Sequence, residues 1–261
     1  MTTLFQAMLG LANRGPRHWT GSATGGTTTT LIDTVQRKES DDNFNGMTLF
    51  VLDGDNADLT RRITDFVQST ATLTVGAFSN AMAAGDRYLI SQAVREDLVQ
   101  AINAALTDIG DVTQVDTSLT VVADQTEYSL PSGVSNVVRV EVAASASPDY
   151  NYQRVHNWRE ISGSLYFTDE LGYTAGRTIR LYYNAQHAAV DADADTISDG
   201  IPLALLVDVA AYYYWLQQYS LQGNLNMKED SLLAMHAQNK ERAMQRYSVN
   251  KLQRDPTYLK V

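Results

Sequence analysis

Cysteine is absent from this chain of 261 residues. Disulfides, thiolate nucleophiles and cysteine-ligated zinc are thereby excluded. Basic residues are scarce too: 20 Lys and Arg face 30 Asp and Glu, a formal charge of −10. Such a balance argues against a protein that neutralises nucleic-acid phosphates over its whole surface. Long apolar runs are missing. The longest, Ile201–Leu216, contains Asp208 and falls short of the ~20 residues a membrane-spanning helix needs. The opening stretch "MTTLFQAMLGLANRG" has no basic residues ahead of its apolar ones and no clear cleavage site, so it makes a poor signal peptide. The four histidines, His18, His156, His187 and His236, form no H-E-x-x-H pair. No P-loop and no G-x-S-x-G elbow occurs. Nothing assembles a nucleophile, a base and an orienting group, so neither an enzyme nor a bound cofactor is expected.

What is present is enough apolar material, 44%, for one large domain or two modest ones. Charge is unevenly spread. Residues 1–224 carry 13 basic against 26 acidic residues, whereas residues 225–261 carry 7 against 4. An acidic body with a basic end suggests an electrostatic partner for that end. After the Gly/Thr-rich "GSATGGTTTT" at 21–30, short β-patterned runs recur near 29–34, 47–53, 61–67, 71–77 and 86–91. Their spacing predicts a small barrel or sandwich.

The period then changes. Val94, Leu98, Ile102 and Leu106 recur every fourth residue, which predicts a helix over 92–109 with Ser91 as N-cap and Gly110 as its stop. A second β region follows at 118–124, 127–130, 136–144, 164–169 and 178–185. Helices at 201–222 and 228–248 are expected to pair as a hairpin across "QGN". The fold class is α+β, divided as 1–91, 92–248 and an extended tail at 249–261.

Three features invite chemistry. In "DADADTISDGIP" the acids Asp191, Asp193 and Asp195 match the start of a calcium loop. Its sixth position should be Gly and its twelfth Glu; here they are Thr196 and Pro202. The competing reading makes these residues a turn, with Asp199 capping the next helix and Pro202 in that helix's first turn. The tyrosines at 150, 152, 182, 183, 212, 213 and 214 could stack on sugars or bases, or fill cores and subunit interfaces. The helix at 201–222 carries two apolar stripes, Leu205/Val209/Tyr212/Leu216 and Leu203/Leu206/Ala210/Tyr213, so burial on most sides is expected.

Taken in order, "EYSLPSGVSNVVRVEV", "SLYFTD" and "GRTIRLYYNAQHAAVDADADTISDGIPLALLVDVAAYYYW" resemble the head–tail adaptor (connector) proteins of tailed bacteriophages. In that family an early helix precedes a β insertion that opens on Y-x-L-P. The insertion closes on I-x-L-x-Y-Y and runs through D-x-D…I-P into an apolar helix. The matching residues here are Tyr128, Leu130 and Pro131; Ile179, Leu181, Tyr182 and Tyr183; and Asp193, Asp195, Ile201 and Pro202. The resemblance spans about 92–248. The segment before it resembles a small β-module added in other phage virion proteins.

The resemblance implies a structural protein of the virion neck, assembled in the host cytoplasm. It implies a helical bundle carrying a β insertion, and a ring of copies, usually twelve, under the portal. Its partners would be the portal protein, other neck or tail proteins and further copies of itself, with passive contact to DNA in the channel and none to a membrane. The tail would reach into the portal through Arg246, Tyr247, Lys251, Leu252, Arg254, Tyr258, Leu259 and Lys260. Two other readings stay open. One is a tail-attached module binding a host glycan through tyrosines or Trp19. The other is a metal-dependent hydrolase using the Asp cluster with His187.

Overall fold

The computed structural model describes residues 1–15, 17–144, 151–168, 172–220 and 227–247. In chain order the elements are β1 (Thr2–Thr3), α1 (Leu4–Ala12), β2 (His18–Ser22), β3 (Gly25–Gly26), β4 (Thr30–Ile32), β5 (Thr48–Val51), β6 (Thr60–Val67), β7 (Thr72–Val75), β8 (Arg87–Ser91) and α2 (Arg95–Ile109). Next come β9 (Asp111–Thr120), β10 (Glu127–Ser129), β11 (Val137–Ala143), β12 (Tyr152–Val155), β13 (Trp158–Ile161), β14 (Ser164–Phe167) and β15 (Thr178–Gln186). The chain continues through β16 (Thr196–Ile197), α3 (Leu203–Ser220) and α4 (Met227–Arg246).

Two compact units result. One combines residues 1–109 with 188–248; the other holds 110–187. The boundary expected at residue 91 therefore lies inside the first unit. The tail expected at 249–261 lies outside the described residues.

In the first unit, seven strands form one sheet in the order β2-β8-β5-β6-β7-β4-β3. Strand β6 joins its two parts. It pairs with β5 through Thr60–Arg62 and with β7 through Ile63–Val67, with a bulge between Ile63 and Asp65. The expected barrel does not close. Closure needs the two end strands to share a ladder, and β3 is only the pair Gly25–Gly26. The expected loop at 21–30 also contains the end of β2 and all of β3. The sheet's interior is built from Leu31, Phe44, Leu49, Ile63, Phe66, Leu73 and Ile90, all essentially inaccessible. Phe44 packs edge-on against both Trp19 and Phe66. Tyr88 donates its hydroxyl to Asp33 at 2.6 Å in this interior, and a side chain at Gly21 would strike both groups.

The helices of this unit follow the apolar periods. In α2, Leu98, Ile102, Ala105, Leu106 and Ile109 are buried, and Gly110 ends it in the left-handed region at φ 78°, as glycine does without steric cost. The N-cap expected at Ser91 is corrected: Ser91 belongs to β8, and its hydroxyl accepts from the Ala93 amide. Helix α3 packs against α1, α2 and α4, burying Leu205, Leu206, Val209 and Ala210. Its two expected stripes are only half covered, since Leu203 and Leu216 are exposed. Trp215 on α3 stacks with His236 of α4, ring centroids 5.9 Å apart. Lys240 of α4 reaches Asp108 of α2 at 2.7 Å.

Helix α1 was not expected. Its N-terminus is a capping box: Thr3 Oγ1 accepts from the Gln6 amide, and Gln6 Oε1 accepts from the Thr3 amide. Leu4, Phe5, Met8 and Leu11 are buried beneath it. The T-x-x-Q spacing is the signal that could have revealed it.

The second unit has two antiparallel sheets, ordered β10-β14-β13 and β12-β11-β15-β9. Tyr128, Trp158, Leu165 and Phe167 from the first share one core with Val140, Val142, Ile179 and Leu181 from the second. On β11 and β15 these apolar residues alternate with Arg139, Glu141, Arg180 and Tyr182, the period of a half-buried strand. Strands β12 and β13 were not expected, and β9 begins seven residues before the run read from the sequence.

Two outcomes are expected. Leu205→Asp places an unpaired carboxylate in the core at a cost of several kcal/mol, against a typical domain stability of ~5–15 kcal/mol. The variant should lose cooperative melting; soluble protein with a sharp transition would show that α3 is not core. His236 titrates below its usual value because of burial and then the nearby Arg14 charge. Its contribution to stability is therefore full above ~6.5 and is lost as pH falls toward and through the lowered folded value. Melting temperature should drop across that window in the wild type and drop less in His236→Gln; identical profiles would refute it.

Candidate interface residues and the acidic loop

The acidic loop is built as a clasp. Asp193 accepts from the Thr60 amide at 2.7 Å and from the Thr60 hydroxyl at 2.8 Å. It also accepts from the Arg95 guanidinium at 3.1 Å. Its side chain is only 9% exposed. Arg95 further donates to the Asp191 carbonyl. Asp195 turns inward on the loop itself, taking the amides of Asp191 and Ala192 at 2.7 and 2.9 Å. Those two backbone donors hold its carboxyl below the usual range, because they favour the charged form.

The loop's carbonyls have a second task. Those of Asp195 and Asp193 accept from the Leu4 and Phe5 amides at 2.8 and 3.0 Å. These are orphan donors in the first turn of α1. Strand β1 pairs with β16 immediately beside them. The capping expectation is thus corrected in its target. Asp199 does not cap α3, which starts four residues later; it lies 3.5 Å from the Met1 amino group. The helix capped by this loop is α1. Among the described residues no group of three His, Asp or Glu is placed to hold a metal ion. The carboxylates of Asp193 and Asp195 are already taken up by protein donors.

The tyrosines mostly serve as mounts for cations. Lys240 lies 4.7 Å from the Tyr212 ring and 5.0 Å from Tyr213. Arg180 covers Tyr152 at 3.5 Å, and Arg139 covers Tyr182 at 5.1 Å. Such contacts hold a cation near the surface without complete desolvation. Tyr183 donates to Gln114 at 3.1 Å. Tyr214 is buried, and burial pushes its hydroxyl well above the usual value. Tyr150 lies outside the described residues.

Two of the eight expected portal-contacting residues fall within the described chain. Arg246 closes the last turn of α4, and its guanidinium lies 5.5 Å from the Tyr247 ring. Lys251, Leu252, Arg254, Tyr258, Leu259 and Lys260 lie outside it. A further feature was not read from the sequence: a mainly apolar groove between α2 and α3, walled by Ala101, Ala104, Tyr213 and Leu216. Leu216 is 37% exposed there. Gln217 crosses one side of it to Gln100 at 2.9 Å. No sequence signal marked it, because periodicity assigned Leu216 to the core.

Comparison with family models gives a match to the SU10 adaptor protein over residues 27–259. The chain belongs to the SU10 adaptor protein family. This is a phage adaptor family, so the protein is a structural adaptor of a virion and associates with other virion proteins. The match takes in β4 to β8, the segment before the narrower resemblance at 92–248. It also takes in seven of the eight tail residues named above, all but Lys260. A comparison with curated proteins finds no match.

Removing the Asp193 carboxylate should expose what the clasp contributes. Asp193→Ala leaves Arg95 and Thr60 without their acceptor and should cost up to about 3 kcal/mol, below the full figure for a buried pair because Arg95 stays partly open. Asp191→Asn, at a side chain 93% exposed, should change little. Calcium should move the melting temperature of neither variant nor the wild type. A calcium-dependent rise abolished by these substitutions would revive the metal reading.

Proposed function

We propose that this adaptor sits in the neck of a tailed phage, between portal and tail, as a ring of copies, and docks on the portal through its C-terminal segment from Arg246 onward. The observation that carries this reading is the family match over nearly the whole chain. The charge distribution supports it independently. A body of −13 over residues 1–224 ends in a segment of +3 over 225–261, which suits insertion of the segment into an acidic groove of a larger partner. Arg246 on its exposed turn and Tyr247 stacked beside it form the described root of that segment. Pro256 prevents simple helical continuation at its own position. Tyr258, Leu259 and Val261 then supply apolar anchors beyond it.

A chain ending at Val249 keeps every helix and strand described above and should melt like the full-length protein. In phage production it should give DNA-filled heads lacking tails. Binding of the full-length chain to purified portal should weaken as salt rises, because exposed charges are screened within ~10 Å at 0.1 M salt. If the truncated protein joins heads to tails at normal efficiency, the C-terminal segment is not the portal anchor.

A further inference from the structure

Helix α4 presents two different sides. His236 faces α3, where its ring stacks on Trp215. Successive residues turn about 100° around a helix, so Lys240 lies about 40° to one side of His236 and Met235 about 100° to the other. The Lys240 side faces the groove between α2 and α3. Its ammonium reaches Asp108 of α2 at 2.7 Å and donates to the Tyr213 hydroxyl at 3.5 Å. Met235 is turned away from that groove and is 45% exposed. It belongs to a stripe, Leu232, Met235, Asn239 and Arg242, whose spacing of three, four and three residues is that of a seam packed on another helix. Leu232 and Asn239 are half-buried, and Arg242 is exposed.

The groove carries a matching order. On α2, Glu96, Gln100 and Ala104 share one side at four-residue spacing. Ala104 and Leu216 form its apolar part. Gln217 donates to Gln100 at 2.9 Å in its middle, and exposed Glu96 stands one turn further on. The groove thus runs apolar, amide, acid, and the stripe on α4 runs apolar, amide, base. Ala104 to Glu96 spans about 12 Å of helix rise, and Met235 to Arg242 about 10.5 Å. Among the described residues neither Glu96 nor Arg242 takes part in an ion pair.

We propose that α4 of one copy docks in the α2–α3 groove of the next and runs antiparallel to α2. Met235 then packs against Ala104 and Leu216, Asn239 meets the Gln100–Gln217 pair, and Arg242 lies beside Glu96. The occupant is a second copy because one chain carries both halves, on sides of α4 that point apart within a single molecule. An apolar patch complementary to a pocket elsewhere on the same molecule makes a head-to-tail contact, which generates a ring when its rotation closes. The opposite charges at the rim offset locally the repulsion between chains that each carry −10. The inference rests on the ring reading above and adds the surfaces that form it.

Because the chain has no cysteine, paired cysteines can test the junction in assembled particles. One double variant combines Ala104→Cys with Met235→Cys; a second combines Gln100→Cys with Asn239→Cys. Facing Cα atoms of helices packed about 8–10 Å apart fall within the ~7 Å that a disulfide requires. Under oxidation at least one double variant should give a ladder of covalent multimers of this chain, whereas a bridge inside one copy would leave only monomer. The single variants should give nothing beyond a dimer. No ladder from either pair, in particles that contain the chain, would overturn this junction and leave the adaptor reading standing. Cross-links only to another virion protein would do the same. Arg242→Glu should lower the yield of joined particles severalfold, and adding Glu96→Arg should restore it, a rescue that a merely structural role would not show. Failure to restore it would overturn the register. Absence of the wild-type chain from purified particles would overturn the adaptor reading, and this inference with it.

Discussion

The contact between Asp193 and Thr60 joins residues 133 positions apart, and the first unit depends on it. That unit is discontinuous in sequence: the chain leaves after Ile109 and returns at Ala188. Bringing such distant segments together costs loop-closure entropy that local secondary structure does not offset. The returning strand meets the cost with a concentrated set of bonds. Asp193 takes Thr60 of β6 and Arg95 of α2, its backbone and that of Asp195 take the first turn of α1, and β16 pairs with β1. One short loop thereby fixes the start of the chain, the N-terminal sheet and the central helix to the segment that goes on to form α3.

A different economy governs the aromatic residues. Most clustered tyrosines neither fill the core nor present bare rings to a ligand. Tyr152, Tyr182, Tyr212 and Tyr213 each lie under a cation. The arrangement keeps guanidinium and ammonium groups near solvent in restricted geometry, where they can meet carboxylates at modest entropic cost. In a chain as acidic as this one, the few cations have to be positioned rather than numerous. That is consistent with a protein whose work is association with other virion components.

Local pattern made much of this architecture readable. The four-residue spacing of Leu98, Ile102 and Leu106 located α2, and five alternating runs located β4 to β8 within a few residues. The adaptor family was legible from the order of weak motifs between Tyr128 and Pro202. The roles of the acids were not. Asp191, Asp193 and Asp195 are equivalent by spacing, yet the first is open to solvent, the second clamps two distant elements and the third closes its own loop. Only partners nearly a hundred residues away or more, Arg95 and Thr60, distinguish them. Helix α1 was missed for a related reason: its apolar residues were read for a targeting role, and half of its cap comes from residue 193 onward. The groove at Leu216 was missed because a helix apolar on all sides conceals which side stays open.

The same limits apply to the second unit. Alternation along β11 and β15 identifies an outward polar face but not which strands end the sheet. Only the observed order shows that the acidic ten-residue strand and the arginine-bearing one occupy opposite ends, and that the even strand count leaves them antiparallel. A net charge of −10 favours separate copies in solution, with self-repulsion that falls as salt rises. Contact between copies opposes that repulsion only where opposite charges meet locally. Charge repulsion therefore disfavours irregular aggregates, most strongly at low salt.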